Sequence, residues 1–325
     1  MLALRCRLAL GAALCALGLI GFHGSSYAQW APDRLVTIVV PFNAGGGADA
    51  IVRPIAAELA RIWAQPVIVE NRPGADTAIG TRRALEAKPD GLTLLLQVPG
   101  VTLFRHVPAA TPFDPLSGLV PVTALTVQPP GLVVNSAIPG KTLAEVFHHC
   151  KTAKQPCSFG TLEKVSRLQA RAITAEAGLG NVTMVRYRGS GQMITDVATN
   201  TVNMAIMGLA TVMPHYRAGT LKILAVDSKT RVTLIPEVPT GAEAGYPIFS
   251  SEIWYGLFAP KGTSTDVLQG IAVAVREALK ADSVKNAIAV MGAEPVGNTP
   301  SEFAASVQAT ERALSELARR FPLDE

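Results

Sequence analysis

The glycine loop from Pro41 to Asp49 is the segment whose residue types best suit ligand binding. It reads PFNAGGGAD, follows an apolar run and precedes residues at helical spacing. Backbone N–H groups at a helix start face outward, and the helix dipole adds positive potential, so an anion is favoured there. Glycine lets that anion approach the backbone closely. The alternative is a tight turn in which Asp49 caps the helix, and we expect Asp49 to be this N-cap.

This loop does not fit a nucleotide-binding motif. The GxGxxG pattern needs a third glycine where Ala50 stands, and the GK[ST] end of a phosphate-binding loop is absent. No cofactor is therefore predicted.

The second candidate is the loop Tyr187-Arg188-Gly189-Ser190, which precedes a predicted helix. An arginine beside a helix start suits a carboxylate, and an exposed surface arginine is the alternative. Ser190 does not complete the GxSxG pattern of serine hydrolases. The histidines lack metal-ligand spacing and no two carboxylates have acid–base spacing. The sequence therefore favours binding over catalysis and predicts no metal.

Alternating strand and helix patterns position these loops. Strands at 35–40, 67–69 and 92–96 alternate with helices at 51–63 and 79–87, which predicts a parallel sheet with right-handed crossovers. The proline-rich stretch 108–121 interrupts this rhythm. A second block follows, with strands near 131–134, 157–159, 183–187, 202–207 and 221–226 and helices near 142–150, 164–177 and 191–199.

The C-terminal part returns to the first block. A strand at 254–258 precedes helices at 267–281, 284–291 and 301–320, the last with Thr299 as N-cap. We therefore expect two α/β domains, one of residues 29–125 and 254–325 and the other of residues 126–253. A cleft between two such domains is the default site for a small molecule.

The first 28 residues predict a secretory signal peptide. Arg5 and Arg7 precede an apolar run, and Ser26 and Ala28 form a small-x-small site, so cleavage is expected after Ala28. A membrane anchor is the alternative, although the run is shorter than the ~20 residues needed to span a bilayer. Export leaves Cys150 and Cys157, which an oxidising compartment favours as a disulfide over two free thiols.

Composition and charge exclude other classes of protein. Charged residues are 17% and hydrophobic residues 49% of the 325 residues, which excludes intrinsic disorder. The formal net charge of +4 is spread along the chain without a Lys/Arg block, so no nucleic-acid partner is expected.

Ordered short motifs then carry a family resemblance. They include VVPF before the glycines and Asp49, VENRPG at 69–74, PDG at 89–91, PFDP at 112–115 and LVVN at 132–135. YRGSG at 187–191, WYGLFAP at 254–260 and GAEP at 292–295 follow later. From Trp30 to Arg320, the chain resembles the periplasmic substrate-binding proteins of tripartite tricarboxylate transporters, the Bug-type receptors.

The resemblance implies a type II periplasmic binding protein-like α/β fold whose two domains, with parallel or mixed sheets, close on a ligand in the cleft. It implies a small organic carboxylate as ligand, with membrane subunits of a secondary transporter as partner, or alternatively a sensor kinase ectodomain. The matching candidate ligand residues lie in loops after predicted strands: Phe42, Asn43, Ala44, Gly45, Gly46 and Asp49; Ala75, Asp76, Thr77 and Ala78; Tyr187, Arg188, Gly189 and Ser190.

Departures from the family pattern point to an altered pocket. The second carboxylate loop, at 158–168, keeps Gly160 and has Thr161 beside it, but Glu163 replaces a small neutral residue. Met207-Gly208 stands where the family has Asp-Asn, and Asp76-Thr77 replaces a glycine pair. We expect a less polar or aromatic carboxylate, with Gly160, Thr161, Met207 and Gly208 as further candidates. A remote enzyme alternative is an exported hydrolase using Ser190 or Ser158.

Overall fold

The computed structural model describes residues 30–106, 113–187, 189–247 and 253–322. The predicted signal peptide and Arg188 lie outside the described residues, as does part of the proline-rich stretch. Within the described ranges, no helix has both the length and the apolar character needed to cross a membrane.

Strands and helices alternate along most of the described chain. The strands are β1 (Val36–Val40), β2 (Val67–Asn71), β3 (Thr93–Gln97), β4 (Leu119–Gln128), β5 (Pro130–Asn135), β6 (Ser158–Thr161), β7 (Thr183–Arg186), β8 (Met204–Gly208), β9 (Leu221–Val226), β10 (Ile253–Pro260) and β11 (Glu294–Pro295). The helices are α1 (Gly47–Trp63), α2 (Ala78–Leu85), α3 (Pro115–Gly118), α4 (Leu143–Thr152), α5 (Lys164–Glu176), α6 (Ser190–Ala198), α7 (Leu209–Arg217), α8 (Thr265–Ala278), α9 (Asp282–Val290) and α10 (Pro300–Arg320). Short 3-10 helices cover Ala75–Thr77 and Pro99–His106.

The strands form two mixed sheets. The first has the order β11-β4-β10-β3-β1-β2, with β1 parallel to β2 and β3 and with β10 antiparallel to β3 and β4. The second has the order β7-β6-β8-β5-β9, with β6 parallel to β7 and β8 and with β5 antiparallel to β8 and β9. This is a two-domain α/β fold of the type II periplasmic binding protein class, as the sequence predicted.

The core of the first sheet follows from its residue pattern. β1 buries Val36, Ile38, Val39 and Val40 on both faces, which is typical of a strand covered by helices on two sides. α1 covers one face with residues spaced three or four apart, each of which contributes roughly 1.5–3 kcal/mol by burial. These residues are Ile51, Val52, Ile55 and Leu59.

Several elements were not predicted from the sequence, and β4 and α7 show why. β4 begins at Leu119 and includes Pro121, which pairs with Phe258 beside a register shift in β10. Proline is tolerated in a strand at such an irregularity, and β11 contacts β4 only at Thr126 and Val127, leaving that edge open at Pro121. α7 contains Pro214, an internal residue that argues against a helix from sequence alone.

The chain passes from the first sheet to the second between β4 and β5. The predicted domain boundary at residues 125 and 126 falls inside β4, which ends at Gln128, and β5 begins at Pro130. We propose that the domains meet at residue 129 and again between β9 and β10.

A disulfide joins Cys150 to Cys157, as the sequence favoured over free thiols. It connects the last turn of α4 to the residue before β6, and both cysteines are buried in the core of the second sheet.

Removing this disulfide should destabilise the protein. Cross-linking so short a loop restricts the unfolded chain, so Cys150→Ala/Cys157→Ala should lower the free energy of unfolding by about 2 kcal/mol. Urea unfolding in oxidising buffer measures this, and dithiothreitol added to the wild type gives an independent check. Equal stability of wild type and variant would show that the cross-link contributes nothing.

Candidate functional site

An open cavity of about 1360 Å³ lies where strands of both sheets end. Residues after β1, β2 and β3 line it from the first sheet, and residues after β6, β7 and β8 line it from the second. In open α/β sheets, ligands bind beyond the carboxyl ends of the strands. The cavity exceeds the roughly 300–1,000 Å³ of an ordinary ligand pocket, so it is an open cleft.

Most of the predicted site residues lie on the wall of this cleft. They come from the segments after β1, β2 and β7 and from the end of β8, which the two sheets bring together. These residues are Phe42, Asn43, Ala44, Gly45, Gly46, Ala75, Asp76, Thr77, Tyr187, Gly189, Ser190, Met207 and Gly208.

Three predicted residues lie behind the wall because they belong to the regular elements beneath the loops. Gly160 and Thr161 are part of β6, and a β-carbon at Gly160 would lie 3.1 Å from Met193. Ala78 is a buried first residue of α2. The wall begins only beyond β6, at Leu162. Arg188 lies outside the described residues.

Asp49 is also absent from the wall, because it holds the glycine loop from behind. It occupies the third position of α1, so the prediction that it caps the helix is wrong. Its carboxylate accepts hydrogen bonds from the Gly45 N–H (3.0 Å), Arg53 Nε (2.7 Å) and Asn71 Nδ2 (2.8 Å). Asn71 also donates to the Phe42 carbonyl. Burial opposes ionisation of Asp49, but these bonds outweigh it and lower its pKa.

Five helices begin at the cleft, and four of them carry no side-chain cap. The uncapped starts are Gly46 of α1, Thr77 of α2, Gly189 of α6 and Gly208 of α7. Away from the wall, α3, α4, α8 and α10 begin with side-chain caps, from Asp114, Thr142, Ser264 and Thr299, and α9 begins without one. The first N–H groups of a helix have no partner within it, and each helix start carries roughly half a positive charge. The cleft therefore offers donors and positive potential to an anion.

Glu163 caps the fifth helix, α5, with its own carboxylate. Its two oxygens accept the N–H groups of Val165 (2.7 Å) and Ser166 (3.1 Å). Desolvation raises the pKa of Glu163, whereas these backbone bonds and the charge of Arg167 oppose that rise. At the start of α5, therefore, a carboxylate of the chain itself occupies the position that a ligand carboxylate could take at the uncapped starts.

Asp76 connects loops of the two sheets through an ion cluster. Its carboxylate accepts hydrogen bonds from Arg167 Nη2 (2.7 Å) and Nη1 (3.4 Å), and Arg186 Nη2 lies 3.6 Å away. Lys164 Nζ donates to the Asp76 carbonyl (3.4 Å) and lies 3.9 Å from the ring centre of Phe104. The cluster therefore bridges the loop after β2 and the helix after β6.

Burial and the charges of the ion cluster act together on the pKa values of Asp76 and Lys164. Burial opposes ionisation of Asp76, but the Arg167 hydrogen bond and the nearby cations outweigh it and lower its pKa. Burial lowers the pKa of Lys164 to about 8, although Asp76 counteracts part of that effect.

The loop that carries Asp76 has unusual backbone geometry. Ala75, Asp76 and Thr77 have φ values of 46°, 51° and 77°, in the left-handed region that favours glycine. Such residues cost of order 1–3 kcal/mol each and persist where their surroundings hold them. The bonds from Arg167 and Lys164 hold this loop.

Several wall residues were missed by sequence reasoning. Gln128 ends β4 and Tyr255 lies in β10, where nothing local marks them as site residues. The Gln128 amide donates to the Tyr255 hydroxyl (3.2 Å), and the buried Gln128 Oε1 has no partner. Burial raises the pKa of Tyr255 to about 12, so its hydroxyl keeps its proton at neutral pH. Arg186 and Glu163 were also missed, although the sequence had marked Glu163 as a departure.

Two mixed sheets covered by helices, with a cleft at their strand ends, have the architecture of the periplasmic binding proteins. The tripartite tricarboxylate transporter family receptor (TctC) model matches residues 51–320, so the chain belongs to that family.

Known relatives agree with this assignment. The chain is 34% identical to protein BugT of Bordetella pertussis over 275 residues, which cover 83% of this chain and 84% of BugT. The structure of MatC from Rhodopseudomonas palustris with bound malate is 29% identical, with a TM-score of 0.79 and coverage of 88% and 99%. A second R. palustris protein, solved with adipate, is 28% identical, with a TM-score of 0.82 and coverage of 89% and 97%.

Family membership decides between receptor and enzyme. TctC proteins are periplasmic solute-binding receptors, so the hydrolase alternative at Ser190 or Ser158 is excluded. Ser190 is instead the first residue of α6, and Ser158 donates to Asn203 (3.1 Å).

Neutralising Asp76 should destabilise the protein in a pH-dependent way. Asp76→Asn leaves Lys164, Arg167 and Arg186 close together, so we expect a loss of about 3 kcal/mol at pH 7. The folded pKa of Asp76 lies below its unfolded value of about 3.9, so its stabilisation is complete above that value and is lost as pH falls through the folded pKa. Urea unfolding between pH 3 and pH 7 measures the difference.

The exposed pair Glu277–Lys280 supplies a matched control for this measurement. Glu277→Gln should change stability little, since exposed ion pairs contribute little. If Asp76→Asn behaves like this control at every pH, the ion cluster does not stabilise the fold.

Proposed function

We propose that this protein is a periplasmic receptor that binds a small organic carboxylate in the cleft between its two domains. It then delivers that ligand to the membrane subunits of a tripartite tricarboxylate-type transporter. The observation that carries the proposal is the convergence of four uncapped helix starts on one cleft. Backbone N–H groups at such starts bind carboxylates without needing many lysines or arginines.

The glycine loop is the best anchor for the ligand carboxylate. Gly46, Gly47 and Ala48 line the cleft at the start of α1, and Asp49 and Asn71 fix the loop from behind. A preformed loop does not have to be ordered when the ligand arrives, which favours affinity.

Relatives support the ligand class and the partner. MatC was solved with malate and a second R. palustris protein with adipate, both small carboxylates. The family name supplies the transporter as partner. A sensor kinase and an aromatic ligand have no such support and are not part of the proposal. Export by the signal peptide, with cleavage after Ala28, completes it.

Organic carboxylates should stabilise the protein against heat. A ligand at 100 times its Kd adds about 2.7 kcal/mol to the free energy of unfolding, because it binds only the folded state. A thermal-shift screen of aliphatic mono-, di- and hydroxycarboxylates, with the matching alcohols as controls, measures this. No shift with any carboxylate would contradict the proposed function.

Gly46→Ala should weaken binding while leaving the fold intact. Gly46 has φ −86°, which alanine accepts, and its β-carbon would lie 3.6 Å from the Asn43 carbonyl oxygen and 3.9 Å from Ser190 Oγ. The methyl group would occupy space beside the free N–H groups of α1, so we expect Kd to rise at least tenfold by calorimetry.

Gly180→Ala is the matched control for this variant. A β-carbon at Gly180 meets nothing within 4 Å, and this residue is not on the cleft wall. Kd should remain at the wild-type value in the control. Unchanged affinity in Gly46→Ala as well would place the carboxylate elsewhere in the cleft.

A further inference from the structure

The start of α5 differs from the other helix starts at the cleft because a carboxylate of the chain itself already accepts two of its N–H groups. Glu163 accepts the N–H groups of Val165 and Ser166, and the Leu162 N–H donates to Ser166 Oγ (2.9 Å). A β-carbon at Gly100 would lie 2.7 Å from Glu163 Oε2, so this glycine leaves room for the carboxylate. The site is thus built around the Glu163 side chain.

Gln128 on the wall also presents an acceptor. Gln128 is 2% exposed, and its Oε1 has no hydrogen-bond partner. Both Glu163 oxygens accept backbone N–H groups, which favours the ionised carboxylate, and its remaining lone pairs are acceptors. A ligand group that satisfies Gln128 and Glu163 together must donate hydrogen bonds.

The charges on the wall also favour a hydrogen-bond donor over a second carboxylate at this end of the ligand. Among its described residues, Asp76 and Glu163 are acidic and Arg186 alone is a lysine or arginine. Arg167, behind the wall, is held by Asp76 through two hydrogen bonds. A second ligand carboxylate near Glu163 would therefore meet like charge, with Arg186 as the only described cation on the wall to offset it.

We propose that Glu163 determines specificity by excluding a second carboxylate, so that the receptor takes monocarboxylates whose far end carries a hydrogen-bond donor. A hydroxyl, an amide or an ammonium group fits this description. The inference rests on the proposed function, because the single ligand carboxylate is taken to bind at the start of α1.

The test compares ligands with matched carbon chains by calorimetry. Butyrate, succinate, succinamate and 4-aminobutyrate form one set, and hexanoate, adipate, adipamate and 6-aminohexanoate form another. A third set carries the same four end groups (methyl, carboxylate, amide and ammonium) on the carbon chain of the carboxylate that binds best in the thermal-shift screen. For that skeleton, the wild type should bind a donor-bearing monocarboxylate at least tenfold more tightly than the dicarboxylate.

Two substitutions of Glu163 separate the effect of its charge from the effect of its side chain capping α5. Glu163→Gly gives α5 an uncapped glycine start like those of α1, α6 and α7. We expect this variant to prefer the donor-bearing monocarboxylate over the dicarboxylate by less than threefold. Glu163→Gln removes the charge and keeps one oxygen for the cap, so its preference for the monocarboxylate should lie between those of the wild type and Glu163→Gly. Glu145→Gln removes a carboxylate that accepts the Lys141 N–H near α4, outside the cleft, and should keep the wild-type preference.

The outcomes distinguish the two proposals. Binding of no carboxylate on any skeleton to the wild type overturns the proposed function and this inference with it. Tight binding of carboxylates, with the dicarboxylate as good as the monocarboxylate or with the preference unchanged in Glu163→Gly, overturns the inference alone. If Glu163→Gly does not fold, an unchanged preference in Glu163→Gln overturns it instead.

Discussion

The convergence of helix starts on one cleft is the constraint on which the rest of this structure depends. A parallel strand that leads into a helix places the helix start at the carboxyl edge of its sheet. Here both sheets turn that edge toward the same cavity, so five helix dipoles act on it together. The positive potential comes from backbone, which explains how Arg186 can be the only lysine or arginine among the described wall residues.

The Asp76 loop shows how local strain is balanced by contacts between the sheets. Three consecutive residues without the freedom of glycine adopt left-handed backbone angles, which is unfavourable by itself. The Arg167 and Lys164 contacts come from α5, on the other sheet, so they restrain both the loop and the approach of the two sheets. Loop conformation and sheet arrangement are therefore coupled through one carboxylate.

Local sequence patterns predicted most strands and helices, whereas the site residues that they missed depend on contacts between distant parts of the chain. The β-branched runs and glycine punctuation located β1 and the loop before α1 because those signals are local. Asp49 was misassigned as a cap because its partner Asn71 is 22 residues away. Gln128 and Tyr255 reach the cleft from β4 and β10, whose antiparallel pairing depends on strand order that no short window contains.

Glu163 shows that helix stability and ligand chemistry are linked at the cleft. An acidic N-cap stabilises a helix by about 1 kcal/mol, since it satisfies N–H groups that would otherwise lack partners. At α5 the chain supplies that cap itself, so the helix is complete without a ligand. At α1 the side-chain cap is absent, so a bound anion would complete the helix. The two sides of the cleft thus differ in the hydrogen-bonding groups that they leave for a ligand, and the proposed ligand, with one carboxylate and one donor, matches that difference.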